Sequence, residues 1–275
     1  MDLSLERFFS DAVRSYNSVS QQVRSATERW ASDNLYCPRC GKILTPFPTN
    51  TPVYDFYCNH LGLSYKIISD IEIDNFQLKS LKSFPYSNFP KQIIGAEYVK
   101  TFTSLVEGRF PSLFLLHYSR KMLEVSDILL IHRLSITPRS IIPRNPLSET
   151  ARRSGWQGSI LSLENVPQIG KIPVIRDAKV VPKRDVMHKW MNVEKVMKGT
   201  LEQRSWITDI VSIIDGFDSE FTLEDMYYFS NSLSEKHPNN KHIKDKIRQQ
   251  LQILRDRGYL KFKGSGKYEK TLENY

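Results

Sequence analysis

The sequence predicts two domains: an α/β domain built on a mixed sheet at residues 1–195, and a winged-helix domain at residues 196–275. Apolar segments of strand length at 111–118 and 127–132, alternating with helix-like segments, predict the first domain. Three short helical patterns, followed by a strand–turn–strand pattern around Gly264-Ser-Gly266, predict the second. A chain of 275 residues is long enough to give both domains a hydrophobic core.

Composition limits the class of protein. The hydrophobic content of 40% and the charged content of 25% are ordinary for a soluble globular protein. The sequence contains no run of about 18 apolar residues and no N-terminal signal peptide, so we expect a cytoplasmic protein. The net charge of +9 favours a polyanionic partner, although many basic proteins bind none.

Periodicity predicts the order of elements in the first domain. Residues 3–34 have helical spacing, and residues 92–108 have the pattern of a helix that ends near Gly108. Residues 52–58 alternate as a strand does, and the alternation at 64–74 is interpreted as an inserted hairpin arm. Further strands are expected at 76–79, 111–118, 127–132 and 170–174.

The three cysteines all lie between residues 37 and 58, which favours a metal site in a reduced compartment over disulfide bonds. Cys37 and Cys40 have the C-x-x-C spacing of a zinc knuckle, and Cys58 supplies a third thiolate. A redox pair normally opens a helix, which the proline and glycine of this motif disfavour. A structural zinc site takes four ligands, so His60 is the expected fourth, with His117 or another residue brought close by folding as the alternative.

A second group of residues has the spacing of a two-strand nuclease site. Asp55 lies within one predicted strand, and Gln77 and Lys79 lie on the same side of another. The side-chain oxygens of Asp55 and Gln77, with the backbone carbonyl of Leu78, would coordinate Mg²⁺, and Lys79 would orient the attacking water. Charged residues alternating on a solvent-exposed strand give the same pattern, so the spacing alone is weak.

Residues 133–158 form a basic, proline-rich segment with a single glutamate. Guanidinium groups suit bidentate phosphate contacts, and Trp156, which lies between two glycines, can approach a base closely. Its arginines are Arg133, Arg139, Arg144, Arg152 and Arg153. We expect Trp156 with Arg139, Arg152 and Arg153 to contact DNA; the alternative is a long surface loop with one buried tryptophan.

The third helix of the second domain is predicted at 242–257 and is ended by Gly258. Glutamine pairs bidentately with adenine, aspartate accepts from cytosine, and lysine and arginine hold phosphates. The expected DNA contacts on its polar face are His242, Asp245, Lys246, Arg248, Gln249 and Gln252. A solvated polar face is the alternative, but residues 236–270 contain 11 basic groups against 3 acidic ones, which favours a phosphate-binding surface.

Seven blocks, in one order along nearly the whole chain, resemble the DpnI family of methyl-directed restriction endonucleases, which cut GATC when its adenine is N6-methylated. The blocks are Tyr36-Cys-Pro-Arg-Cys-Gly41, Val53-Tyr-Asp-Phe-Tyr-Cys-Asn-His60, Phe76-Gln-Leu-Lys-Ser80, Thr137-Pro-Arg-Ser-Ile-Ile142, Thr150-Ala-Arg-Arg-Ser-Gly-Trp156, Glu220-Phe-Thr-Leu-Glu-Asp-Met-Tyr227 and the helix from His242 to Asp256. The last block is the longest and the most specific.

The resemblance implies a PD-(D/E)XK nuclease domain with a zinc knuckle, followed by a winged helix, and a bacterial or archaeal source. It implies structural Zn²⁺, catalytic Mg²⁺ and double-stranded DNA with N6-methyladenine as the partner, read by both domains. By position, Asp55 is the motif aspartate, Lys79 is the motif lysine, and Trp156 matches a tryptophan near the methylated adenines. We expect a protein that is monomeric in solution.

Two positions depart from the family pattern. The Glu-x-Lys motif is matched by Gln77-Leu78-Lys79, which requires a short insertion after Cys58; without that insertion, Lys66 and Ile68 would occupy the motif and the enzyme would be inactive. Glutamine keeps an oxygen ligand but loses a charge, so weaker metal binding is expected. The fourth zinc cysteine of the family falls at Leu61, which leaves His60 to compensate.

The predicted function is therefore Mg²⁺-dependent cleavage of double-stranded DNA at N6-methyladenine sites, typical of a type II restriction endonuclease. The rival is a reader of methylated DNA that binds without cutting. A transcription regulator that uses the winged helix ranks lower, because it leaves Asp55 and Lys79 without a role.

Overall fold

The computed structural model describes residues 1–48, 51, 54–72, 89 and 91–271, with backbone alone at 69–72. The first domain contains four α-helices among these residues: α1 (Glu6–Ser15), α2 (Val19–Asn34), α3 (Tyr98–Val106) and α4 (Lys183–Val196). Its strands are β1 (Thr45–Pro46), β2 (Phe56–Tyr57), β3 (Ser64–Glu72), β4 (Gln92–Glu97), β5 (Ser112–Ser119), β6 (Glu124–Ile131), β7 (Ile141–Pro143), β8 (Gly158–Ser162), β9 (Lys171–Arg176) and β10 (Lys179–Val180).

The main sheet, as far as the structure describes it, has seven strands in the order β1-β2-β3-β5-β6-β9-β10. Strands β3 and β5 are parallel and the other pairs are antiparallel, so the sheet is mixed. Strands β5 and β6 lie in the middle and are almost wholly buried, which explains their continuous apolar sequence.

Both faces of the main sheet are covered. One face packs in a cluster that includes α1, α2 and α4, with Trp30 and Trp190 fully buried in it. The opposite face packs against α3 and a small sheet of order β4-β8-β7. The layered α/β architecture predicted from the sequence is confirmed.

The second domain has four helices among the described residues: α5 (Leu201–Asp215), α6 (Leu223–Tyr227), α7 (Ser230–Lys236) and α8 (Ile243–Asp256). Its sheet has the order β11-β13-β12, with β11 (Glu220–Thr222), β12 (Leu260–Gly264) and β13 (Lys267–Lys270). Thr222 and Asp225 form the predicted capping box at the start of α6. Ser265 and Gly266 both have positive φ, the backbone of a type I′ hairpin turn, and this turn is the tip of the wing.

Several local predictions are wrong. The segment at 64–72 is not a hairpin arm but the continuous strand β3, paired with β5 inside the sheet. Residues 92–97 form β4, so the helix predicted at 92–108 begins only at Tyr98. Residues 3–34 form two helices, α1 and α2, instead of one continuous helix. The strand predicted at 76–79 lies outside the described residues.

Candidate active site and nucleic-acid interface

Asp55 lies at the edge of the main sheet, one residue before β2 and not in the interior of a strand. Its backbone N–H donates to the Tyr65 carbonyl at 3.0 Å, and its own carbonyl accepts from the Phe47 N–H at 2.8 Å. The side chain is 12% exposed, and its Oδ2 accepts from the Ile67 N–H at 2.9 Å. The same oxygen lies 3.4 Å from Nζ of Lys66. The carboxylate is therefore fixed in orientation by the neighbouring strand.

The strand register decides which residues face Asp55. Strand β2 pairs with β3 through Phe56–Tyr65, which brings Lys66 and Ile67 to the aspartate. The sequence prediction assigned that place to Gln77, Leu78 and Lys79, and all three lie outside the described residues. Their catalytic role stays a prediction, while the described neighbours are those of the register without an insertion.

The described residues at Asp55 do not by themselves fit Mg²⁺. Magnesium takes hard oxygen ligands in near-octahedral geometry. Lys66 brings an ammonium group to the Asp55 carboxylate, and Ile68 has no polar side-chain atom. A cation beside Asp55 would be repelled by Lys66 unless that side chain moved away.

A cleft of about 430 Å³ opens beside Asp55, between α2 and the segment around β1. Arg24 and Arg29 of α2 line one wall, and Tyr54 and Asp55 line the other. Arg24 binds Glu28 at 2.7 Å, and the pKa of Arg24 is raised, mainly by that contact and to a smaller extent by Asp55. The sequence prediction assigned residues 3–34 helical structure and no function, and so missed this wall. The basic residues on the polar face of α2 were the available signal.

The three cysteines are brought together as predicted. Their sulphur atoms lie within 4.8 Å of one another, with 3.5 Å between those of Cys40 and Cys58. Gly41 has a φ of +75°, and a Cβ there would lie 2.6 Å from Cε of Lys183, so the turn that presents Cys37 and Cys40 requires glycine. A close-packed set of three thiols is the donor set expected for Zn²⁺.

The thiols differ in their surroundings. Burial raises the pKa of Cys37 to about 11, although a hydrogen bond with the Tyr65 hydroxyl at 3.2 Å acts in the opposite direction. Burial also raises that of Cys40, but hydrogen bonds, first from the Lys42 backbone and then from His60, lower its pKa to about 7. His60 is near enough to Cys40 to affect its pKa, but among the described residues only the three cysteines have ligand atoms that all lie within 4.8 Å of one another, so the role of His60 as fourth ligand stays a prediction. Leu61, at the family's cysteine position, is 42% exposed.

Helix α8 presents its predicted polar face to solvent. Its buried side chains are Ile247, Gln250, Leu251 and Leu254. The predicted DNA contacts His242, Asp245, Arg248, Gln249 and Gln252 are exposed, and Lys246 is half-buried. Arg248 pairs with Asp245 on the same face. The helix followed by the β12–β13 wing is the arrangement that places a recognition helix in a major groove.

Comparison with known families decides the relationship. Residues 1–199 match the Dam-replacing family (DpnI), and residues 202–270 match the Dam-replacing HTH domain. The chain belongs to the Dam-replacing family. This is a family of methyl-directed restriction endonucleases, and its HTH domain implies DNA binding.

Within the Dam-replacing family domain, Trp156 lies in the basic segment between β7 and β8. It is half-buried, with its ring over Gly158, where a Cβ would come within 2.9 Å of the indole. The Arg153 guanidinium lies 5.1 Å from the ring centroid, and both Arg152 and Arg153 are exposed. The indole is therefore partly exposed and lies against an arginine side chain, and the role of Trp156 in DNA binding stays a prediction.

Arg139 has a different setting from the other predicted DNA contacts. Its guanidinium binds the carboxylate of Asp209 on α5 and the backbone carbonyl of Lys236. It therefore lies at the contact between the two domains. In the second domain, Tyr228 is 86% exposed, an unusual exposure for an aromatic side chain that the sequence did not single out. No helix within the described residues is both long and apolar enough to cross a membrane.

Proposed function

We propose that this member of the Dam-replacing family is a type II endonuclease that binds, as a monomer, double-stranded DNA containing N6-methyladenine at GATC-like sites and hydrolyses its phosphodiester bonds with Mg²⁺. The observation that carries the proposal is the exposed polar face of α8, in a winged-helix domain that follows a domain with a largely buried aspartate beside a cleft lined by Arg24 and Arg29.

Reading of the bases is assigned to α8 and to Trp156. An N6-methylated adenine keeps N7 and one N–H, so Gln249 or Gln252 can still pair with it, and Asp245 can accept from cytosine. The methyl group requires an apolar or aromatic neighbour, for which the indole of Trp156 is suited. Lys246, Arg248, Arg152 and Arg153 would hold phosphates and fix the register. His242 stands at the start of the same helix face.

Cleavage is assigned to Asp55, Gln77 and Lys79. Asp55, Gln77 and the carbonyl of Leu78 would hold Mg²⁺, which supplies charge stabilisation at the scissile phosphate, and Lys79 would orient water. Zinc would be held by Cys37, Cys40, Cys58 and His60 as a structural ion. Asp55 is the one member of the proposed catalytic set whose surroundings are described.

A second candidate, a reader that binds methylated DNA without cutting it, is favoured by one specific observation. Lys66 and Ile67 occupy the place beside Asp55 where the motif requires Gln77 and Leu78. If β3 keeps this register on DNA, Lys66 and Ile67, the residues described beside Asp55, offer no side-chain oxygen ligand. The reader would bind through the same α8 and Trp156 surfaces.

The experiment is digestion of one plasmid in two forms, with adenine methylated or unmethylated at its GATC sites, by the purified chain with Mg²⁺ or with EDTA. The proposal expects cuts in the methylated plasmid with Mg²⁺ alone. Methyl-dependent binding with no nicks at any metal concentration would establish the reader instead. Equal digestion of both plasmids would exclude methyl dependence, and sedimentation with and without DNA would test the monomer.

A further inference from the structure

A buried ionic cluster joins the two domains at Asp209 of α5. The Asp209 carboxylate, 9% exposed, binds three side chains from two other segments: those of Arg139, Lys236 and His237. Nζ of Lys236 lies 3.2 Å from Oδ1, Nε2 of His237 lies 2.8 Å from Oδ2, and the guanidinium of Arg139 binds Oδ2. Together these contacts hold the pKa of Asp209 below its usual value against the effect of burial.

The cluster crosses the domain boundary. Arg139 belongs to the first domain, in the 3-10 turn Pro138–Ser140, whereas Lys236 and His237 lie at the end of α7. Arg139 also donates to the carbonyl of Lys236, so one guanidinium holds both a carboxylate and a helix end. Asn165 fixes the Arg139 backbone by donating to its carbonyl at 2.9 Å.

Each side of the cluster leads to a surface that reads DNA. The turn that carries Arg139 continues into β7 and then into the basic segment with Trp156. On the other side, the His237 ring stacks on Trp206 with 3.6 Å between centroids, and Nζ of Lys246 on α8 lies 5.6 Å from the Trp206 ring. Asp209 is therefore the shared contact of the segments that lead to these two surfaces.

A directional contact is needed at this junction. The domains also share buried apolar side chains, but apolar burial is non-directional and does not by itself select an angle between domains. Charge-assisted hydrogen bonds to a fixed carboxylate do select one, because each donor must meet its oxygen in a narrow geometry. Arg204, which donates to the Leu134 carbonyl at 3.2 Å one turn earlier on α5, adds a second such contact.

We propose that Asp209 is a positioning residue that sets the orientation of α8 relative to the Trp156 segment, and that this fixed orientation strengthens the preference for methylated DNA. The proposal rests on the proposed function for its DNA readout. Asp209 itself touches no DNA; it acts through Arg139, Lys236 and His237.

The first test is hydrogen exchange of the full-length chain without DNA, which does not depend on the proposed function. Asp209→Asn should increase amide exchange both in the Pro138–Ser140 turn and at the end of α7, and leave β5 and β6 unchanged. Asp256→Asn, which removes an exposed pair with Arg255 at 2.9 Å in the same domain, is the matched control. Unchanged exchange at both segments would overturn the proposal.

The second test measures Kd for methylated and unmethylated duplexes by fluorescence anisotropy. Asp209→Asn and Arg139→Gln should each weaken methylated binding about tenfold and reduce the preference for methylated DNA, and the double variant should be no weaker than either single one. Arg139 is 34% exposed, so its variant should fold even if Asp209→Asn does not. Additive effects, or a loss that only follows the fraction of folded protein, would overturn the proposal. A wild-type chain with no methyl preference would refute the proposed function instead, and the exchange test would then decide about Asp209.

Discussion

The recognition helix α8 and the Asp55 edge of the sheet differ in how their chemistry is specified. On α8, every predicted contact and every core residue belongs to one continuous segment, and the 3.6-residue period sorts them into two faces. At Asp55, the site requires two strands to pair in one register. A shift of that register would replace every neighbour at once. The neighbours described at Asp55 are Lys66 and Ile67, and Gln77 and Lys79 lie outside the described residues.

The difference teaches where a family resemblance is most useful. A match along a helix transfers its surface directly, because the spacing of residues in the sequence is also their arrangement in space. A match across strands transfers a site only when the segment between them has the same length. Residues 58–79 contain the proposed insertion, so the predicted function depends most on the part of the chain where the register is hardest to infer.

The largest effect should come from Asp55→Asn. If cleavage takes place at this edge, its rate should fall a hundredfold or more, on the order of what one preorganised catalytic group contributes, while Kd for methylated DNA stays within about twofold. Asp33→Asn, which removes an exposed pair with Arg7, is the control. Undiminished cleavage by the Asp55 variant would place the chemistry elsewhere in the chain.

Loss of zinc should primarily lower the stability of the fold, and only secondarily affect DNA recognition. Cys58→Ser removes one of three clustered thiols and should lower Tm by roughly 10 °C, because structural zinc contributes several kcal/mol to folding. The measurements are metal content and calorimetry, with His60→Ala expected to have the smaller effect. A wild-type chain purified without zinc, and indifferent to chelators, would refute the site.

Gln249→Ala should affect only DNA recognition by the second domain. Loss of a bidentate base contact should weaken methylated DNA binding by about 1–3 kcal/mol at fixed salt. Lys241→Ala, at the margin of the same helix, should instead lower the salt dependence of log Kd by about one unit and leave base preference intact. Titrations at several salt concentrations distinguish the two effects; the same loss from both variants would argue against base reading by Gln249.

Two rival variants sharpen the comparison at the Asp55 edge. Gln77→Glu should lower the Mg²⁺ concentration for half-maximal cleavage at least roughly tenfold. A residue that only hydrogen-bonds to a metal ligand already changes metal affinity by about that factor. The double variant Lys66→Glu with Ile68→Lys builds the same motif on β3 and should give no gain. If the double variant gains cleavage and Gln77→Glu does not, the catalytic strand is β3 in the observed register.

Much of this molecule could be predicted from local pattern. The central strands, the capping box at Thr222 and the wing turn depend on neighbours close in sequence, and the thiol cluster was indicated by residue type and C-x-x-C spacing. Each is found where expected. The failures have a common physical cause, which is tertiary pairing. Alternation at 64–72 cannot distinguish an exposed hairpin from a strand inside a sheet, and the setting of Arg139 depends on α5, 70 residues later.

The shared core has a consequence for how the protein can be divided. Val193 of α4 and Ile207 of α5 belong to one buried cluster that runs from α1 to α8. In the described part of the chain, the hydrophobic core is therefore continuous across the two domains. Such a chain should melt in one calorimetric transition, and either half expressed alone would expose a large apolar surface. The reader and the nuclease therefore cannot be recombined as independent modules. A chimaera with a relative should exchange α4 and α5 as a pair, since they bury their side chains together.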